Sequence, residues 1–310
     1  MSDDKDKNPL YRGPSPKRDG NRERGPRPPR RFGSETEQPM RRREMESSAP
    51  VRRTYNDEPV QDARPAKIKE FRIYGVNACL AAFKKRPESI RKVWLLSSRI
   101  PKVTELLAYC VQNKIGYNVV ESEDLEKLTA SAHHEGLCLA MLPQPELNLS
   151  AWLMTQATGP QLLIWLDGVG NPHNLGAILR SAAHFGVGAV LLPKESVLAN
   201  SGAAARVAEG AAEYVPLVRM GRSENAVAQL KLAGFEFVSA VVRGGEDIFS
   251  TALPERCVLV MGAEQTGVEP ALLQASRLRV QVPGTGHVES LNVSAATAVL
   301  LAEWSRQTRR

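Results

Sequence analysis

The sequence lacks several features that would assign it to a specialised class of protein. No apolar run approaches the roughly 18 residues that a membrane span needs. The first residues, MSDDKDKNPLYRG, contain no apolar stretch of the kind found in secretory signals. The four cysteines are far apart, and none forms a C-x-x-C pair, which disfavours a zinc site or a disulfide framework. We therefore expect a soluble cytoplasmic protein with no metal site.

Positive charge is concentrated in the first 67 residues. The 310 residues carry 41 Lys and Arg against 34 Asp and Glu, and residues 1–67 hold 17 and 12 of these, or +5 of the net +7. This segment is rich in Arg, Pro and Ser and has too few aliphatic residues to offset the entropy of ordering it. The composition predicts a disordered tail that either holds RNA phosphates in a salt-sensitive way or only solubilises the chain.

From about residue 70 the spacing of apolar residues predicts folded structure. Residues 68–145 form a small α/β unit, residues 146–160 a linker with at most one helical turn, and residues 161–310 a second α/β domain. The expected strands of the two domains are residues 71–75, 93–96, 117–120, 138–142, 162–166, 189–192, 214–218, 235–242, 257–261 and 278–282. The expected helices are residues 77–85, 102–114, 175–185, 203–212, 223–233, 270–276 and 293–307.

In the second domain, continuous apolar strands alternate with helices, which predicts a parallel sheet covered on both faces. Ligands bind such sheets outside the carboxyl ends of the strands. Three polar, glycine-rich clusters follow strands at such ends: residues 167–180, residues 258–267 and residues 280–294. We expect the functional residues of the protein among them.

The first cluster runs from a strand through a glycine-rich turn into a helix. Gly168 and Gly170 are typical of a dinucleotide-binding turn, but the third glycine of that motif is misplaced and no acidic residue ends the following strand, which disfavours a nicotinamide site. Helical spacing buries Leu175, Ile178, Leu179 and Ala182 and places His173, Ala177, Arg180 and His184 on the opposite side. In the third cluster, Ser290 or Asn292 is expected to cap the last helix.

Taken in order, the three clusters resemble the SpoU/TrmH family of ribose 2′-O-methyltransferases, within the SPOUT class. Residues 174–180 are similar to its first motif, residues 261–264 to its second and residues 290–294 to its third. The resemblance covers about residues 160–308, and residues 70–145 resemble more loosely the family's RNA-substrate-binding domain. The long basic tail is similar to that of the YfiF-type members, which are named as tRNA/rRNA methyltransferases.

The resemblance implies methyl transfer from S-adenosyl-L-methionine to a ribose 2′-hydroxyl of structured RNA, tRNA or rRNA, by a homodimer. It also implies a trefoil knot in the second domain. The catalytic residues that it implies are Asn174, Arg180, Glu264, Ser290 and Asn292. The cofactor-binding residues that it implies, through their backbone groups, are Leu259, Val260, Met261, Gly262, Val282, Pro283 and Leu291.

The chain departs from the family's pattern at three positions. Gln265 stands where the family often has Gly, Gly284 where a Met is common, and Glu135 replaces Gln in a frequent His-Gln-Gly sequence. These departures leave a second function open, that of a catalytically weak relative that binds structured RNA as an assembly factor. A nicotinamide-dependent oxidoreductase, with its site at residues 168–176, is the third alternative.

Overall fold

The computed structural model describes residues 70–196 and 198–308 of the chain. All of them belong to one compact unit, residues 63–310. The expected disordered tail, residues 1–67, lies outside the described residues. Two β-sheets, one of four strands and one of eight, organise the described part of the chain.

The first sheet is built from residues 71–141 and has the strand order β1-β4-β2-β3. Strands β1 and β2 each run antiparallel to β4, and β2 runs parallel to β3. The elements are β1 Phe71–Tyr74, α1 Val76–Lys85, β2 Ile90–Leu95, α2 Thr104–Gln112, β3 Gly116–Val119, α3 Ser122–Thr129 and β4 Leu137–Met141. Helix α3 was not expected, because Leu125 and Leu128 are the only large apolar residues in its sequence, SEDLEKLT.

The second sheet is parallel throughout, as expected, with the order β10-β12-β9-β11-β6-β7-β8-β5. Its strands are β5 Leu147–Asn148, β6 Gln161–Asp167, β7 Ala189–Pro193, β8 Leu217–Met220, β9 Glu236–Ala240, β10 Glu246–Asp247, β11 Arg256–Gly262 and β12 Leu278–Gln281. Its helices are α4 Leu149–Leu153, α5 Pro172–Phe185, α6 Gly202–Val207, α7 Ser223–Leu232, α8 Pro270–Ala275 and α9 Val293–Thr308.

Helices cover both faces of this sheet because its central strands are apolar on both sides. Alternate residues of β6, Leu162, Ile164 and Leu166, pack with helices α5 and α9 in one core. The residues between them, Leu163 and Trp165, pack with α4, α7 and α8 in the other. The strand order does not describe the threading of the chain, so the knot stays a prediction.

Further differences from the pattern expected from sequence include the expected linker and the helix expected over residues 203–212. The expected linker supplies an edge strand, β5, and helix α4, whose Leu149 and Trp152 are buried in the second core. The helix expected over residues 203–212 ends at Val207, because Glu209 and Gly210 adopt positive φ angles of 53° and 89° that interrupt it. The division of residues 68–310 into two domains and a linker stays a prediction, because residues 63–310 form one compact unit.

The two sheets are joined by close packing and by charged groups. At Gly202, the first residue of α6, a Cβ atom would lie 2.3 Å from the carbonyl oxygen of Arg72 in β1, so only glycine allows this contact. Arg86, after α1, donates from Nε and Nη2 to the two carboxylate oxygens of Glu213, both at 2.8 Å. Their side chains are only 10% and 5% exposed, so this ion pair is part of the interior.

The four cysteines are free and buried. Burial raises the pKa of all four thiols, that of Cys138 to about 12. They are therefore protonated at neutral pH and do not act as nucleophiles. Among the described residues there is no cluster of His, Cys, Asp and Glu that could hold a metal ion, and no helix long and apolar enough to cross a membrane.

Candidate active site

Two of the three expected functional clusters lie at the carboxyl ends of the neighbouring strands β6 and β11, and the third follows β12. After β6 the chain continues to β7, towards one edge of the sheet, whereas after β11 it continues to β12, which lies beyond β9 towards the other edge. The connections that follow β6 and β11 therefore run towards opposite edges of the sheet, and we call the region at the carboxyl ends of these two strands the crevice. Such a crevice is where open parallel sheets bind ligands.

Helix α5 follows β6 and carries two of the expected residues, of which Asn174 lies at the crevice. Its start is defined by Asn171, whose side chain accepts a hydrogen bond from the backbone of His173 at 2.8 Å, and by Pro172 in the first turn. Asn174, in that first turn, is 8% exposed and is one of the few buried polar residues. Arg180 lies on the exposed side of the same helix, about 9 Å further along its axis.

The loop after β11 is a tight turn that holds Glu264. The backbone of Gly267 donates to the carbonyl of Ala263 at 2.8 Å, and a Cβ atom at Gly262 would lie 2.2 Å from the carbonyl carbon of Gly267. Gly262 is thus required by the close return of the chain. Gln265, at the tip of this turn, is exposed and does not crowd the crevice.

Three side chains from the three clusters form one hydrogen-bonded triangle. Asn174 donates from Nδ2 to Oε1 of Glu264 at 3.1 Å. Asn292 donates from Nδ2 to Oδ1 of Asn174 and to Oε1 of Glu264, both at 3.0 Å. These residues are separated by 90 and 118 positions in the chain. We call this group the Asn–Glu–Asn triangle; it ties three loops into one site.

Asn292 also begins helix α9, as one of the two capping residues considered from sequence. Its Oδ1 accepts from the backbone and the hydroxyl of Ser294, at 2.9 and 2.6 Å. The capping bonds fix the orientation of the amide, so its Nδ2 faces the other two members of the triangle. Asn292 therefore connects the end of the segment between β12 and α9 to Asn174 and Glu264.

The other two expected catalytic residues are not part of the triangle. Arg180 and Ser290 are both exposed. Within the described part of the chain, neither side chain makes a hydrogen bond or an ion pair. Their donors face solvent, so they are free to contact a ligand in the crevice, while the triangle has an internal structural task.

Asp167, the first residue of the first cluster, was assigned no role from the sequence. Its Oδ2 accepts from the backbone of Glu269 at 2.7 Å and so holds the far end of the loop after β11. Ser294 was also assigned no separate role. For Asp167 there was a signal, since a carboxylate directly after a buried strand lies at the edge where loops converge.

The residues expected to bind the cofactor fall into two groups. Leu259, Val260 and Met261 have buried side chains in β11, so only their backbone groups can face a ligand. Gly262 follows them, and the remaining three residues, Val282, Pro283 and Leu291, lie on the loop between β12 and α9. Val282 is half-buried, and Leu291 is 46% exposed.

This edge of the sheet fits a flat ligand with an apolar face and polar rim. The pairing of β11 with β9 ends at Val260, whereas the pairing with β6 continues to Gly262, so the last two residues of β11 have a register partner on one side only. Because Asn292 is bound to Glu264, the exposed Leu291 is held close to the same place. An adenine ring matches an apolar side chain beside free backbone groups.

Two family models match the chain. The SpoU rRNA Methylase family matches residues 161–302, and the RNA 2′-O ribose methyltransferase substrate-binding family matches residues 72–146. The first match contains the triangle, Arg180 and Ser290. The second contains the first sheet.

Named relatives match over most of their length. An uncharacterised tRNA/rRNA methyltransferase, YfiF, of Escherichia coli O157:H7 is 38% identical over 79% of this chain and 71% of its own. The 23S rRNA (guanosine-2′-O-)-methyltransferase RlmB of Pseudomonas putida is 33% identical over 76% of this chain and 96% of its own. The SpoU methyltransferase AviRb of Streptomyces viridochromogenes, solved with AdoMet, shares the fold, with a TM-score of 0.64, 19% identity and coverage of 77% and 90%.

Proposed function

Since the chain belongs to the SpoU rRNA Methylase family, we propose that it transfers a methyl group from S-adenosyl-L-methionine to a ribose 2′-hydroxyl of rRNA or tRNA. The observation that carries this proposal is the Asn–Glu–Asn triangle, which unites the three motif segments at the crevice. The names of the relatives support RNA as the substrate and methyl transfer as the reaction. A nicotinamide-dependent oxidoreductase has no support from them.

The cofactor would be held at the free end of β11 and the loop before α9. We assign the backbone groups of Met261, Gly262 and Val282 to the edge of its adenine, and Leu291 to one face of the ring. When bound, S-adenosyl-L-methionine supplies an activated methyl group on a sulfonium. The glycine-rich segment that contains Gly284 and Gly286 gives the backbone room to approach the ligand.

Arg180 is the residue that we assign to the ribose and its phosphate. A guanidinium stays protonated at ordinary pH, so it does not act as a simple base. Its planar set of donors suits a phosphate oxygen or the hydroxyl oxygen, and holding that oxygen in line for displacement lowers the entropic part of the barrier. Ser290, which is exposed and lies two residues before Asn292, is assigned to orienting the same hydroxyl.

Asn174, Glu264 and Asn292 are assigned to the geometry of the site. Each member of the triangle belongs to a different segment of the chain, so the loss of one loosens the other two. In-line transfer needs the reacting atoms placed within a fraction of an ångström. The triangle supplies that precision, and Asp167 supports it by holding the backbone of Glu269.

We further propose that the protein acts as a homodimer in the cytoplasm, where rRNA and tRNA are processed. The homodimer is what the resemblance to the SpoU/TrmH family implies. Sedimentation of the purified full chain tests it: a mass of twice 34.0 kDa is expected, and a monomer at the concentration that supports activity would refute it.

The activity is tested with tritiated S-adenosyl-L-methionine and total RNA from a strain that lacks the gene. We expect label in a 2′-O-methyl nucleoside after digestion. RNA binding without incorporation would instead favour the second candidate, an assembly factor. Calorimetry with S-adenosyl-L-methionine and with a nicotinamide dinucleotide separates the third alternative, because only the first ligand should bind.

Arg180→Ala is expected to abolish incorporation and leave the affinity for S-adenosyl-L-methionine nearly unchanged, because Arg180 lies outside the expected cofactor residues. Arg222→Ala is a matched control, since Arg222 is equally exposed but precedes α7 on the other face of the sheet. Loss of cofactor binding in a folded Arg180→Ala variant would refute the assignment.

A further inference from the structure

The first sheet has one covered face and one largely open face. Helices α1 and α2 cover the first, with Ala78, Cys79 and Leu106 packed on Val93 and Leu95 of β2. On the opposite face, helix α3 and the start of α6 cover the part near Tyr74 and Cys138. The side chains left exposed or half-buried there are Arg72, Lys92, Trp94 and Asn118.

The register of the strands places these four side chains next to one another. Arg72 and Lys92 are both partners of Ala140, one on each side, so two cations flank a small residue. Trp94 follows in the next row of β2, and its partner on the edge strand β3 is Asn118. The guanidinium of Arg72 lies 5.9 Å from the centre of the Trp94 ring, and the ammonium of Lys92 lies 5.1 Å from it.

A cleft of about 720 Å³ opens on this face. Its walls are β1, the end of α3 and the start of α6, and they include Arg72, Trp94, Leu128 and Gly202. This volume is within the range of sites that bind small ligands. Glu70 also lines the cleft and offsets the charge of Arg72. Lys92 does not line the cleft but lies beside Ala140 on the same face, and it leaves these three charges with a net value of +1.

Trp94 differs from the other tryptophans of the chain. Trp152, Trp165 and Trp304 are 3%, 2% and 7% exposed, and each belongs to a hydrophobic core. Trp94 packs against one of the small clusters with part of its surface and remains half-buried. Arg72 donates to the carbonyl of Leu128 at 2.8 Å, its one hydrogen bond within the described residues, so most of its donors remain available.

We propose that this face binds an unpaired nucleobase of the RNA substrate, stacked on the exposed part of Trp94, with the adjoining phosphates held by Arg72 and Lys92. This proposal rests on the proposed function, and it places a substrate contact on the first sheet, away from the crevice. Open sheet faces that carry an aromatic residue among cations bind single-stranded RNA in this way, because every base has a stacking surface. Asn118 is positioned to meet the edge of the base.

The experiment uses the full chain and a short oligouridylate, which has little structure of its own. Since Trp94 is the one tryptophan that is not buried, iodide should quench its fluorescence selectively in the free protein. Addition of the oligonucleotide should change that fluorescence and protect it from iodide. An iodide-inaccessible Trp94 in the free protein would show that another part of the chain covers this face, and would overturn the proposal.

Trp94→Leu, which keeps apolar bulk without the ring, is expected to weaken oligonucleotide binding roughly 5- to 150-fold, the range for loss of one base–aromatic stack. Trp94→Phe should recover part of the loss. Lys92→Ala should weaken binding and reduce its salt dependence, whereas Lys84→Ala is the matched control on α1, which covers the opposite face. The affinity for S-adenosyl-L-methionine should be the same in all four variants.

The outcomes separate this proposal from the proposed function. Methylation together with unchanged RNA binding by Trp94→Leu would overturn the nucleobase site and leave the enzymatic function intact. Trp94-dependent binding without methylation would support the site and count against the enzymatic function. Oligonucleotide binding that Trp94→Leu and Trp94→Phe weaken equally would also overturn the stacking, because only the phenyl ring can still stack.

Discussion

The buried ion pair between Arg86 and Glu213 is the contact whose removal should destabilise the protein most. Arg86 also donates from Nη1 to the carbonyl of Leu142 at 2.8 Å, and Gln144 donates to Glu213 at 2.9 Å. In Arg86→Met the carboxylate of Glu213 keeps only Gln144 as a partner. A buried charge without its partner costs about 3 to 5 kcal/mol.

For a folded part of this size, 1 kcal/mol corresponds to roughly 2 to 4 °C in the melting temperature. Arg86→Met should therefore lower the melting temperature by about 6 to 20 °C. Calorimetry measures it directly. Because the pair joins the first sheet to the second, the variant should also lose affinity for RNA more than affinity for S-adenosyl-L-methionine.

Two further variants separate the buried charge from other causes. The double variant Arg86→Met/Glu213→Leu removes both charges, so it should recover most of the lost stability. Arg277→Met breaks a pair whose side chains are 61% and 42% exposed, and it should cost no more than about 1 kcal/mol. If the double variant is as unstable as Arg86→Met, the loss comes from packing and the reasoning is wrong.

Two other predictions concern single carboxylates. Glu264→Ala should lower the melting temperature by about 2 to 8 °C, since it removes the acceptor of two hydrogen bonds at a partly solvated site. It should also weaken methyl transfer. Glu264→Gln keeps an acceptor oxygen and should lose less stability and less activity, so equal losses in the two variants would contradict this role. Hydrogen bonding from Arg306 lowers the pKa of Glu303 from 4.5 to about 2. The stabilisation that ionised Glu303 gives is therefore complete above pH 4.5 and is lost as the pH falls through about 2. Glu303→Gln should have a lower melting temperature than the natural protein at pH 6 and the same melting temperature near pH 2. A difference that persists at pH 2 would refute this.

Much of the second domain could be predicted from the sequence because each central strand is buried on both faces. A strand with this environment is a continuous apolar run, as in β6 and β11, and such runs are visible without a structure. The buried side of α5 was equally visible, since Leu175, Ile178 and Leu179 recur at helical spacing. Short elements such as α3 and β5 were missed, because they contain too few apolar residues to form a period.

The sequence predicted which residues belong to the candidate site better than it predicted how they are arranged. Asn174, Glu264 and Asn292 were each expected, yet no pattern in the sequence indicated that they bind one another. Arg180 and Ser290 were grouped with them, although their side chains remain exposed outside the triangle. Whether these five residues act in catalysis stays a prediction, which the Arg180 and Glu264 variants test.

The order of apolar and polar residues within a segment determines which residues are buried and where strands end, because this periodicity depends only on residues that are close in sequence. It therefore determined the parallel sheet and the polar loops at its edge. Contacts between distant residues depend on which strands become neighbours and how closely the chain returns. Only the tertiary structure decided the triangle across 118 positions, the ion pair of Arg86 with Glu213 and the open face that carries Trp94.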